Sequence, residues 1–145
     1  LKLLLFNILL NKMNAFITEE SHMLIRCPHC HKRNRVAVER LGDQPSCGSC
    51  HESLFTGVLS VDSQELDELL GQSSLPVIVD FWAPWCGPCR MFAPTFAAAA
   101  NKHGGSLMFV KLDTEANQVA GAKFNIRSIP TLAVFHRGQE LGRTS

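Results

Sequence analysis

Apolar and polar positions change rhythm several times along the chain, and each change predicts an element. Val77–Trp82 is a nearly unbroken apolar run, the pattern of a strand buried on both faces. It leads through Trp85-Cys86-Gly87-Pro88-Cys89 into a helix-forming stretch over residues 91–100. The spacing predicts a helix over 89–102, kinked at Pro94 because the proline ring removes a backbone hydrogen bond. Upstream, Asp62 with Glu65 three residues on reads as a capping pair; Leu66, Leu69 and Leu70 follow at helical spacing, and Gly71 with Ser73-Ser74 ends the pattern. Downstream come an apolar run over 107–112, a short helix over 116–124, a strand over Thr131–His136, and a turn at Arg137-Gly138-Gln139 into 140–144. Strand, helix, strand, helix and hairpin in that order predict an α/β fold, a mixed sheet with helices on its faces.

The chain before Leu59 is built differently. Residues 1–10 are apolar apart from Lys2 and Asn7, about half of the roughly 20 residues that span a bilayer. Lys2 is the one charge in that run and no small-x-small cleavage site follows over 11–20, so residues 1–22 read as an extension of no assigned function, with Met13 or Met23 as a start. A targeting segment is the competing reading. Over 34–41, Val36 and Val38 alternate with polar residues and predict one short strand.

With 145 residues, 46% of them hydrophobic, the chain can bury one compact core and carry an appendage. Its net charge of +1 is spread without a pole, which argues against nucleic acid or a membrane surface as partner. The cysteines change the picture most. All six fall into Cys-x-x-Cys pairs, at 27/30, 47/50 and 86/89, a pattern that fits metal and redox chemistry better than a disulfide framework. A reducing compartment follows, most simply the cytoplasm.

Cys27-Pro28-His29-Cys30 and Cys47-Gly48-Ser49-Cys50 each make a tight turn that brings two sulfurs to one point. Four thiolates at this spacing match a tetrahedral structural zinc site. So short a segment cannot hold a core alone, and zinc would supply its folding free energy. His29, His31 and His51 crowd the same place, so mixed Cys/His ligation competes with all-Cys ligation, and two local disulfides compete with both. Lys32, Arg33, Arg35 and Arg40 make the segment basic, but without interleaved aromatic residues they read as a solvated face.

The third pair sits between a strand and a helix. Cys86 then lies at the helix N-terminus, where unpaired N–H groups and a dipole of roughly half a charge favour an anion. Thiolate is the attacking form in disulfide exchange, so Cys86 reads as nucleophile and Cys89 as resolving thiol. A metal knuckle is the plainer alternative. Asp80 is a carboxylate inside an apolar run: buried, it would hold its proton to higher pH; on a twisted strand it would face solvent.

The pentapeptide Trp85-Cys86-Gly87-Pro88-Cys89 resembles the active site of the thioredoxins, a motif long used as the type case of such redox pairs, and the resemblance covers residues 59–145. With the two zinc-type pairs ahead of it, the chain is similar to the bacterial zinc-containing thioredoxins of the thioredoxin 2 type. The resemblance implies a thioredoxin fold with an N-terminal zinc ribbon, divided as extension 1–22, ribbon 23–58 and redox domain 59–145. It implies a protein-disulfide reductase working through a redox-active Cys86–Cys89 disulfide, with Gly87 and Pro88 typical of reductants. Asp80 would take the proton of Cys89, and Lys111 matches a lysine near that carboxylate, although a plain surface lysine is the alternative. Ile129-Pro130-Thr131 matches the cis-proline loop, whose backbone pairs with substrate strands. Trp85, Ile129 and Pro130 would bind substrate, with Trp82, Trp85 and Ile129 forming an apolar rim. The resemblance further implies a monomer, disulfide-containing proteins as substrates and an NADPH-dependent flavoprotein reductase as electron donor. The family's groove glycine and final helix would fall beyond Ser145, so the redox domain is expected to lack that helix. Two rivals stay open: an exported disulfide oxidase or isomerase, and a redox-sensing zinc module that binds partners.

Overall fold

The computed structural model describes residues 2–3, 5–7, 22–27, 29–37, 40, 43, 45–54, 57–73, 75–104 and 106–145. A five-stranded mixed sheet organises residues 59–145. Its strands are β3 (Leu59–Ser60), β4 (Val77–Trp82), β5 (Met108–Asp113), β6 (Thr131–His136) and β7 (Gln139–Thr144), in the order β3-β5-β4-β6-β7. The first three pair parallel; β6 runs antiparallel to β4 and β7 antiparallel to β6. The hairpin joining β6 and β7 turns at Arg137 (φ 52°) and Gly138 (φ 78°). Two successive left-handed residues match the right-handed strand twist, and the second needs the freedom of glycine.

Each central strand sends alternate side chains to opposite faces. Val77, Val79 and Phe81 of β4, with Met108, Val110 and Leu112 of β5, meet Leu66, Leu69 and Leu70 of α1 (Ser63–Gln72) and Ala120 of α3 (Gln118–Lys123). Ile78, Phe109, Leu132 and Val134 face the other way, onto Phe96 and Ala100 of α2 (Gly87–His103). A strand buried on both faces has no room for polar alternation, which is why β4 reads as a continuous apolar run. The capping pair forms as expected: Asp62 accepts a 2.8 Å hydrogen bond from the Glu65 N–H. Helix α2 begins two residues before the expected start, with Cys86 as its N-cap, and continues past Pro94 to His103.

The N-terminal part holds two strands, β1 (His22–Arg26) and β2 (Arg33–Ala37), paired antiparallel from His22↔Ala37 to Arg26↔Arg33. β2 takes up the start of the strand expected over 34–41; Val38 and Leu41 lie outside the described residues. β1 is an additional strand, too short to show a period in the sequence. This hairpin is not a free appendage. Ile25, Cys27, Val36, Cys47 and Leu54 belong to the same buried cluster as Leu66 and Leu69, and Arg26 and Arg33 form ion pairs with Glu65 (2.9 Å) and Glu68 (2.6 Å) of α1. A cavity of about 410 Å³, lined by Leu24, Arg26 and Val58 among others, opens at this seam and does not reach Cys86. Phe6, within the leading apolar run, is buried against Phe96 (6.5 Å between centroids) and Phe109 (5.9 Å) on the α2 face. Met13 lies outside the described residues.

Candidate functional site

The strand-to-helix junction after β4 builds the first site. Cys86 and Cys89 are joined as a disulfide, with 5.2 Å between their Cα atoms. The Cys86 Sγ caps α2 by accepting the Cys89 N–H at 3.2 Å, and Pro88, which has no N–H to satisfy, sits in the first turn. Both cysteines are nearly buried, at 4% and 2% exposure, in a small apolar cluster with Ala83, Trp82 and Ile129. The Ile129-Pro130 bond is cis, and the Ile129 carbonyl oxygen lies 3.8 Å from the Cys86 Sγ. Thr131 Oγ1 donates to the Ser128 carbonyl, tying the loop back onto itself. Trp85 is 66% exposed beside the buried pair, while Trp82 and Ile129 are half-buried, so the expected rim is graded and not flat.

Asp80, on β4 ahead of this junction, is only 4% exposed. Its Oδ1 is buried without a hydrogen-bond partner. Burial pushes its carboxyl up to about 6 from 3.8, against a smaller opposing pull from the Lys111 charge. Lys111 is its partner in the β4/β5 register. The Lys111 ammonium lies over the Trp82 ring, 5.1 Å from its centroid.

The structure therefore brings Cys86, Cys89, Ile129 and Trp82 into one cluster, and pairs Asp80 with Lys111 across two neighbouring strands. Two contacts had no signature in the sequence. Arg90 Nη1 donates to the Pro84 carbonyl at 2.9 Å, bracing the loop before Cys86, and the Trp82 carbonyl accepts from both Thr114 N (2.9 Å) and Thr114 Oγ1 (3.1 Å). Both depend on which residues the sheet and loop bring opposite one another.

The second site is the sulfur cluster of the N-terminal hairpin. The Sγ atoms of Cys27, Cys30, Cys47 and Cys50 all lie within 4.8 Å of one another, and none is in a disulfide. The closest cross pairs are Cys27–Cys50 at 3.5 Å and Cys30–Cys47 at 3.6 Å. A tetrahedron of sulfurs around zinc, with Zn–S near 2.3 Å, has edges of about 3.8 Å, so the donor set fits such an ion.

The two turns repeat each other bond for bond. Cys27 N donates to Lys32 O (2.8 Å) and His31 N to Cys27 O (3.0 Å); Cys47 N donates to Glu52 O (2.7 Å) and His51 N to Cys47 O (2.9 Å). N–H groups also point at sulfur, from His29 to Cys27 (3.4 Å) and from Ser49 to Cys47 (3.3 Å), while the Asn34 amide reaches Cys47 at 3.5 Å. At Cys47 the Cys50 and Ser49 backbone and the Asn34 amide outweigh burial and hold the thiol down to about 6 from 9.0. Two of the neighbouring histidines are turn residues. His31 and His51 occupy matching left-handed positions, φ 63° and 65°, that end each turn, a conformation histidine tolerates better than most residues.

Comparison with known proteins finds matches over both parts of the chain. A model described as Thioredoxin matches residues 57–145, and one described as Thioredoxin 2, N-terminal, matches residues 26–52. The chain is 44% identical over 124 residues to "Thioredoxin C-3" of Corynebacterium nephridii, covering 85% of each chain. It is 40% identical over 82 residues to "Thioredoxin" of Haemophilus influenzae, covering 57% of this chain and 77% of that one. It is 48% identical over 80 residues to "Thioredoxin 1" of a Nostoc species, covering 55% and 74%. With the sheet, the capped redox pair and the four-sulfur cluster all in place, the chain belongs to the thioredoxin family, in the form that carries an N-terminal zinc ribbon.

Proposed function

We propose that Cys86 is the attacking thiol of a protein-disulfide reductase, that Cys89 resolves the mixed disulfide, and that Asp80 receives the Cys89 proton. Thiol-disulfide exchange is the activity of the family, and the redox pair is present here in its oxidised form. In the reduced protein the Cys86 thiolate attacks one substrate sulfur, a mixed disulfide forms, and the other substrate sulfur leaves as a thiolate that takes up a proton. Cys89 then gives its proton to Asp80 and attacks the Cys86 sulfur. The second substrate sulfur departs as a thiolate and takes up a proton, and two electrons have passed from the protein to the substrate. The observation that carries the reading is Cys86 Sγ at the N-cap of α2, where Cys89 N–H donates to it at 3.2 Å.

Gly87 and Pro88 keep the turn between the sulfurs short, while Trp85, Ile129 and Pro130 offer an apolar rim and a backbone carbonyl to an extended substrate. Contact mainly with main chain suits a reductant of many disulfide proteins. Lys111 acts on Asp80 as a neighbouring charge. In the ribbon, read as 23–58, Cys27, Cys30, Cys47 and Cys50 would hold one structural zinc ion, whose chemistry is to tie the two turns together. The redox domain is read as 59–145. Four unpaired ribbon thiols favour a reducing compartment, the cytoplasm, over export. Electrons would return from an NADPH-dependent thioredoxin reductase. Among the described residues no helix is long and apolar enough to cross a membrane.

Reduction of insulin disulfides, with dithiothreitol as electron source, tests the assignment. The Cys89→Ser protein should accumulate mixed disulfides and the Cys86→Ser protein should turn over no faster than dithiothreitol alone. Full activity of the Cys86→Ser variant would overturn the roles. Zinc released per chain on thiol modification should be one equivalent.

A further inference from the structure

We infer that Trp82 is a positioning residue: its ring holds the Lys111 ammonium off Asp80 and so leaves that carboxyl without an ion-pair partner. Asp80 and Lys111 are direct partners in neighbouring parallel strands. They lie on the same face, the one bearing Ile78 and Phe109, by strict alternation along each strand. A lysine so placed beside a buried carboxylate has every electrostatic reason to pair with it. It does not do so here. Asp80 Oδ1 is buried and unpartnered, and the Lys111 ammonium sits over the Trp82 ring instead.

Trp82 is two residues on from Asp80, again on the same face, and it is held firmly. Its carbonyl takes two hydrogen bonds from Thr114, and its side chain packs against the buried cluster of Ala83 and the cysteine pair. An aromatic face attracts an ammonium through its quadrupole without taking up a proton. The ring is thus a seat for the cation that an ion pair would otherwise provide. The other groups around Asp80 do not compete. On β5 the next residue of that face is Asp113, whose Oδ1 already accepts the Glu115 and Ala116 N–H groups. Opposite Asp80 on β6 stands Leu132, which is uncharged.

The consequence for catalysis rests on the reading of Asp80 as proton acceptor. A carboxyl paired with lysine would give up its proton well below neutrality and would be a poor base for the Cys89 thiol. Trp82 therefore tunes the resolving step through Lys111.

The test is a carbon-13 NMR titration of the Asp80 carboxyl in the oxidised full chain. It compares wild type, Trp82→Phe, Trp82→Leu, Lys111→Met and the Trp82→Leu/Lys111→Met double variant. In Trp82→Leu the midpoint should fall by about one pH unit, a tenfold loss of proton affinity, as Lys111 swings onto Asp80. Trp82→Phe, which keeps a weaker aromatic face, should fall less and in the same direction. Lys111→Met should raise the midpoint, and the double variant should match Lys111→Met alone. A midpoint that holds or rises in both Trp82 variants overturns the proposal. So does a fall that persists without Lys111, which would mean that solvent had reached the carboxyl. Should Trp82→Leu not fold, Trp82→Phe decides by its direction. The resolving rate of Asp80→Asn is measured separately: an unchanged rate removes the proton-acceptor role and leaves the NMR result standing.

Discussion

Cys-x-x-Cys occurs three times in this chain with identical spacing, yet two copies become corners of a four-sulfur cluster and the third becomes a disulfide. The difference lies in what the chain does next. After Cys30 and Cys50 it closes a turn through a left-handed histidine and returns, so each sulfur pair is aimed at the other pair across the hairpin. After Cys86 the chain enters α2, whose first turn brings Cys89 back beneath Cys86 on the same helix. Two sulfurs on one helical turn have only each other. Four sulfurs on facing turns have a shared centre, which a cation can fill. Spacing alone sets the distance between two sulfurs, and the backbone that follows decides whether a third and a fourth arrive.

That contrast can be broken most sharply at the cysteines. Cys86→Ser should bring insulin reduction down to the uncatalysed background, whereas Cys47→Ser should leave the redox pair able to cycle; comparable losses in the two would erase the division of labour. Removal of metal by a chelator, or Cys47→Ser, should next cost the ribbon its fold. Amide exchange protection should disappear over 22–37 and persist over 77–82, with a lower melting temperature because Ile25 and Leu54 no longer cover Leu66 and Leu69. Protection that survives metal removal would show that the shared core is sufficient by itself.

Asp80→Asn comes third and acts on one pair only. At neutral pH it should slow resolution of the mixed disulfide by about 100-fold, the low end of general-base contributions, and remove the rise in rate expected as wild type is taken up through pH 6. Stability should move the other way. The folded carboxyl takes up a proton more readily than the unfolded one, so wild type is at its most stable below pH 4 and loses stability as pH rises from 3.8 through about 6. Across that window the stability of wild type relative to the uncharged asparagine variant should fall by up to about 3 kcal/mol, at 1.36 kcal/mol per pH unit. Urea unfolding at pH 3.5 and 7.5 reads the change, and a difference between the two proteins that is the same at both would sink it. The smallest effects belong to the seam. Arg26→Ala and Arg33→Ala each remove one partly exposed ion pair to α1, which should cost about 0.2 to 1 kcal/mol, and less in high salt.

Much of this could be read before any fold was known. The cysteine pairs, the capping residues Asp62 and Glu65, the buried strand 77–82 and the Arg137-Gly138 turn are written in neighbouring residues, because turns, caps and periodicity are local chemistry. β3 escaped because two residues show no period, and β1 because five residues without alternation look like any short apolar patch. The histidines beside the cysteines read as rival ligands, and only the structure shows that His31 and His51 end the two turns and that the four sulfurs gather by themselves. The ribbon read as an appendage, yet its buried side chains join one core with α1, and the unassigned leading run places Phe6 against Phe96 and Phe109.

The sequence by itself therefore determined the reactive groups and their immediate settings: which sulfurs lie three residues apart, which one meets a helix start, which carboxylate is trapped in an apolar strand. Tertiary structure alone decided how those settings meet. The parallel register of β4 and β5 puts Lys111 opposite Asp80, the Trp82 ring takes the ammonium, the Ile129 carbonyl comes to rest near Cys86, and facing hairpin turns gather four thiols. The reason is physical. Local preferences act through bonds and a few neighbouring residues, whereas these partners are tens of residues apart and meet only when burial of both sheet faces leaves one arrangement of the strands.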